Sequence, residues 1–201
     1  MKSSNYKMYE RGRLLNEIRE IRNALVHDFD MNKDNLLDIS DKTISILEKE
    51  IIYLTNPKRA KDIYTPFDKL CYAKYNDKIE DIIKIMLEKG FLQFPIMDDY
   101  KHLIGVISPN TLLLYISKSK SNITKENVFD LKEYIPLDKH ISEHYMFVNE
   151  NALVSNIGGL FDKLYESRKR LAMVFVTKDG KSDQPLLGVI TPYDILKLDS
   201  I

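Results

Sequence analysis

The sequence contains no tryptophan, one cysteine, seven glycines and seven prolines in 201 residues. The single Cys71 excludes an internal disulfide framework and points to a reducing, cytoplasmic setting. Neither sign of charge is in excess, since thirty Lys and Arg balance thirty Asp and Glu. A zero balance provides no broad electrostatic footprint for nucleic acid, which is therefore not an expected partner. No uncharged run approaches the length of a membrane span, and the opening residues, MKSSNYKMYERGR, lack the apolar core of a signal peptide. What remains is a chain with 44% apolar and 30% charged residues, globular in composition and long enough to bury a sizeable core.

The first third reads as helical. Leu14, Ile18, Ile21 and Leu25 form one helical stripe, and Leu37, Ile44, Leu47, Ile51 and Leu54 follow at heptad-like spacing. The polar run over 28–35 predicts a turn that folds the two helices into an antiparallel hairpin. Two helices cannot enclose a core, so these stripes need a partner, and a homodimer is expected. The second helix should end before Pro57, and residues 57–61 (PKRAK) read as a basic linker.

Beyond the linker the period changes and then repeats. Residues 70–73 read as a strand. Asp77, with Glu80 completing a capping box, should start a helix through Ile79, Ile82, Ile83 and Met86, closed by Gly90. Residues 94–97 and 103–107 read as strands around an Asp-Asp turn, and 110–117 as a closing helix. The same order recurs as a strand over 145–148, a helix capped by Asn151, strands over 171–176 and 187–190, and a last helix opened by Pro192. An internal repeat decides the fold more firmly than any one segment. Gly158 and Gly159 inside the second copy's helix cost roughly 2 kcal/mol against alanine, which suggests close helix packing.

Residues 188–195, GVITPYDI, form a strand, a turn and a helix start. The Thr191 hydroxyl with free amides beside it suits a phosphate, and the Asp194 carboxylate can accept two hydrogen bonds from a ribose diol. Ordinary capping explains the same residue types, with Thr191 as N-cap and Asp194 favoured by the helix dipole. Both readings stand on these residues alone. The first copy, GVISPNT over 105–111, keeps a hydroxyl at Ser108 but has Thr111 where the acid would be.

The stretch 188–195 resembles the signature that ends CBS domains, and residues 90–96 (GFLQFPI) resemble the approach to the second strand of such domains. The resemblance covers roughly two thirds of the chain. It implies an α+β fold of two CBS βαββα repeats related by pseudo-twofold symmetry, preceded by the helical hairpin. The corresponding division is 1–56 hairpin, 57–61 linker, 62–118 first repeat, 119–138 connector and 139–201 second repeat. The family also implies clefts that take an adenosine-containing regulatory ligand such as AMP, ATP, NAD, S-adenosylmethionine or cyclic di-AMP. Carried over, Thr191 would meet phosphate and Asp194 ribose, with Tyr145, Phe147 and Val174 near the base. Arg170 could supply a cation to a polyphosphate, and Ser108 would serve a weaker first cleft. The expectation is a regulatory, non-catalytic sensor without a catalytic cofactor, which acts on a protein partner that the sequence does not name. A structural dimer with empty clefts is the bland alternative.

Residues 22–29, RNALVHDF, resemble the Arg-Asn-x-x-x-His-x-Tyr signature of HEPN domains, several of which are metal-independent ribonucleases, with Phe29 in place of tyrosine. A ligand-gated ribonuclease using Arg22 and His27 is the enzymatic alternative. On a regular helix, however, those two positions diverge by about 140°. Residues 140–144, HISEH, match an inverted zinc-protease pattern, but the run leads directly into a strand and no metal is expected.

Overall fold

The computed structural model describes residues 4–27, 40–119, 122–166 and 170–198, in two compact units, Met1–Lys58 and Arg59–Ile201. The first unit holds α1 (Ser4–His27) and α2 (Asp41–Thr55). Ser40 caps α2 by accepting the Thr43 amide, and the helix stops ahead of Pro57 as expected. No residue of α2 is buried, and Ile44, Ile51, Ile52 and Leu54 are exposed. The turn expected over 28–35 lies outside the described residues.

The second unit runs β1 (Thr65–Pro66), α3 (Ile79–Lys89), β2 (Phe94–Met97), β3 (Leu103–Ile107) and α4 (Pro109–Lys118). It continues with β4 (Glu143–Asn149), α5 (Val154–Glu166), β5 (Arg170–Thr177), β6 (Gly188–Ile190) and α6 (Pro192–Leu198). In α3 the residues Ile79, Ile82 and Met86 are buried on one face, and Gly90 ends the helix in the left-handed region at φ 68°. The cap expected at Asp77 is not formed. The Asp77 carboxylate accepts the Lys74 amide at 2.8 Å, which ties up a preceding turn, and α3 opens after Lys78.

One sheet has the order β1-β6-β5-β4, with β4 parallel to β5; β2 and β3 form an antiparallel pair. The strand expected over 70–73 shrinks to one bridge, Ala73 parallel to Ile96, the counterpart of the β4·β5 pairing. Each signature glycine lies under another backbone segment. A Cβ on Gly105 would sit 2.3 Å from the Ile135 carbonyl oxygen, and one on Gly188 would sit 2.3 Å from that of Thr65. Only glycine permits so close an approach.

The two repeats exchange their leading segments. Arg59 bridges to Leu153, and the Ala60 amide donates to the Ala152 carbonyl at 2.8 Å, so the start of the unit is stitched to the second repeat. In the reverse sense Lys78 bridges to Asn127, and the Val128 amide donates to the Asp77 carbonyl. Residues from Arg59 onward, the end of the basic linker expected over 57–61, are thus bonded to the second repeat, and the connector expected over 119–138 contributes Val128, Leu131 and Ile135 to the first repeat's core. Ala60 joins Ile157, Leu171, Val174, Val176 and Ile190 in the second repeat's core. A third cluster spans the repeats, with Met97 and Val106 against Tyr145, Met173, Phe175 and Val189.

Candidate functional site

Strand periodicity determines which candidate residues meet. Successive side chains of β5 point to opposite faces. Met173 and Phe175 face the cluster shared by the repeats, where Phe175 contacts the rings of Tyr145 and Phe147 at centroid distances of 6.0 and 5.3 Å. Val174, expected beside them, faces the helices instead and is wholly buried with Ile157 and Ile190. Tyr145 and Phe147 share the Phe175 ring, and Val174 lies apart from them.

At the second signature, Thr191 and Asp194 close a tight turn. One carboxylate oxygen of Asp194, Oδ2, accepts the Thr191 amide at 2.8 Å and the Thr191 hydroxyl at 2.7 Å. This is the capping geometry, and Asp194 is half-buried within it. The other oxygen, Oδ1, has no partner among the described residues. Arg170 does not join this group.

At the first signature the geometry is different. Ser108 and Thr111 are buried, and their hydroxyls lie 3.2 Å apart in a reciprocal cap. The Ser108 hydroxyl also donates to Glu143 Oε2 at 2.6 Å. Three more groups converge on this carboxylate, which is only 3% exposed. Gln93 donates at 3.1 Å, Arg170 reaches Oε1 at 3.4 Å from a half-exposed position, and His140 Nδ1 lies 3.3 Å from Oε2. The Tyr145 hydroxyl completes the network by donating to Gln93 Oε1. Arg170 and Tyr145 thus belong with Ser108 rather than with Thr191.

The electrostatics follow from this packing. Burial pushes the Glu143 carboxyl up, but hydrogen bonds from His140, Ser108 and Gln93 outweigh it and hold the group below its ordinary value. Burial, reinforced by the Glu143 charge, pushes the Tyr145 phenol up, so it stays protonated and able to donate. Beside the network a recess of about 280 Å³, open to solvent, is lined by Thr111, Leu114, Tyr134, Lys139, His140 and Ile141.

Glu143 escaped the sequence reading, which met it only inside the His-x-x-Glu-His run. The available signal was Thr111, a signature position without its acid. Of the HEPN-like residues, Arg22 donates to Asn23 on α1 at 2.9 Å, while the His27 side chain and Phe29 lie outside the described residues.

The CBS domain family model matches residues 60–118. The chain carries a CBS domain there. The family model covers the first repeat, and the likeness to solved structures extends over both. CbpB in complex with c-di-AMP superposes with a TM-score of 0.54 at 16% identity, over 78% of this chain and 93% of that one. CBSX2 in complex with AMP gives 0.51 at 22% identity, over 71% and 96%. The CBS domain of a bacterial CNNM/CorC family Mg2+ transporter in complex with ATP gives 0.50 at 18% identity, over 78% and 95%. At these identities the likeness is one of fold. No curated protein matches the chain. Among the described residues, no helix is long and apolar enough to cross a membrane.

Proposed function

We propose that the CBS pair is a regulatory module that binds an adenine nucleotide at the second signature and acts in a reducing compartment. The observation that carries this reading is the Asp194 carboxylate. Its Oδ2 is held by the amide and hydroxyl of Thr191, which orients Oδ1 as an acceptor with no partner among the described residues. A ribose hydroxyl pair suits such an acceptor. Similarity in fold to proteins solved with AMP, c-di-AMP and ATP supports the ligand class. The N-terminal helices would pass the ligand state on as a homodimerisation or partner element, because α2 leaves Ile44, Ile51, Ile52 and Leu54 exposed. A coupling of typically 1–3 kcal/mol would change a partner's affinity severalfold or more.

The test is direct titration of AMP, ATP, NAD, S-adenosylmethionine and cyclic di-AMP into wild type and Asp194→Ala. Loss of a hydrogen bond to a charged group costs about 1.5–3 kcal/mol, so the variant should bind roughly 10- to 150-fold more weakly. Equal affinity of both proteins for every ligand would leave Asp194 as a helix cap alone.

A further inference from the structure

We propose that the first cleft is already occupied by a tethered anion, the Glu143 carboxylate, and that the protein consequently holds one nucleotide per chain rather than two. The stoichiometry rests on the reading above; the occupancy does not.

The donors around Glu143 are those of an anion site: a serine hydroxyl, a side-chain amide, a guanidinium and an imidazole, at 2.6, 3.1, 3.4 and 3.3 Å. They come from both repeats. Ser108 and Gln93 belong to the first, and His140, Arg170 and Glu143 itself enter with the second. Two signatures of one design therefore use their hydroxyls differently. Thr191 donates to the acid three residues on in its own turn, whereas Ser108 donates to an acid 35 residues away. The residue at position 111 agrees with this assignment. An aspartate there would put a second carboxylate on the buried Ser108, beside Glu143, and like charges in a shared buried site repel strongly. Threonine keeps the cap without the charge. A phosphate entering this cleft would have to displace a carboxylate that is 3% exposed and held by four donors.

Two experiments decide it. The full-length Glu143→Ala variant is melted in sodium acetate and in sodium phosphate against sodium chloride at matched ionic strength. Removing the tethered anion leaves its donors facing a vacancy, so saturating acetate or phosphate should raise the variant's Tm by about 5 °C and leave wild type almost unmoved. If the variant is insoluble in chloride, refolding it in acetate or phosphate reads the same effect. An absence of anion response, in melting or in refolding, overturns the occupancy. Equilibrium dialysis of wild type with the tightest-binding adenine nucleotide should give one per chain, and Asp194→Ala should weaken that binding by the same roughly 10- to 150-fold. Two nucleotides per chain would overturn the proposal while leaving the sensor reading intact. No nucleotide binding, together with a clear anion response, would reject the sensor reading and keep the tethered anion.

Discussion

A methyl group added at Gly188 tests whether the signature glycine serves the backbone or the ligand. The new Cβ would lie 2.3 Å from the Thr65 carbonyl oxygen and 2.4 Å from Cδ2 of Tyr64. Ordinary contact needs about 3.5 Å, so β1 must retreat from β6 by about 1 Å. That retreat would stretch the bond from the Phe67 amide to the Leu187 carbonyl, now 2.9 Å, to about 3.9 Å, beyond hydrogen-bonding range. One lost backbone bond costs about 1 kcal/mol and overpacking about 1–3 kcal/mol, so Gly188→Ala should destabilise by about 2–4 kcal/mol. For a chain of this length the Tm should fall by about 4–16 °C. Gly105→Ala, facing Ile135 in the same way, should behave alike. Gly158 provides the control. A Cβ there would lie 3.8 Å from Ile195 Cγ2, an ordinary contact, so alanine removes helix-interior glycine at no steric cost. Gly158→Ala should therefore stabilise by about 1 kcal/mol. Urea unfolding of the three variants reads these differences, with similar m-values expected throughout. If Gly188→Ala unfolds within about 0.5 kcal/mol of wild type, the close approach of β1 is not what requires glycine.

Two further outcomes can be read in solution. Glu143 has a folded-state pKa below its ordinary value of 4.5, so the stability it adds is fully present above about 4.5 and is lost as pH falls through the lower folded value. The stability difference between wild type and Glu143→Gln should therefore narrow below about pH 4.5; a difference constant from pH 7 to pH 3 would contradict the ionised, hydrogen-bonded carboxylate. Light scattering at micromolar concentration should return about twice the 23.5 kDa chain mass, and the monomer mass would remove the dimerisation role proposed for α2.

The repeat architecture was legible because its signals are local. Apolar residues at helical spacing in α3, the left-handed Gly90 that ends it, and the uninterrupted apolar run of β2 each act within a few residues. The failures share the opposite cause. The segment at Arg59 and Ala60 is one turn of 3-10 helix whose partners lie about ninety residues away, and no periodicity marks such a pairing. Asp77 is a good capping residue by type, yet it serves the Lys74 turn because the backbone leads there first. The pairing of Thr191 with Asp194 is legible in spacing, since their contact spans three residues. The wrong companions were assigned to Val174 and Arg170. Which face of β5 carries Val174, and which carboxylate Arg170 meets, depend on the register with β4 and its irregularity after His144.

The exchange of leading segments makes the pair of repeats the smallest piece that can close a core. A fragment cut at the apparent boundary, 62–118, would leave Ile79, Ile82 and Phe94 without the cover of Val128, Leu131 and Ile135. The complementary fragment, 139–201, would lack Ala60 above Ile157 and Ile190. Each half is a box whose lid is attached to the other. Neither lid can be closed until a loop of some fifty to ninety residues has been drawn shut, which places the last step of folding late and makes it non-local. Duplication in this molecule therefore did not produce two independent domains in series. It produced one domain whose halves cannot be inherited, expressed or unfolded separately, and whose N-terminal entry point at Arg59 is fastened to the repeat that carries Thr191 and Asp194.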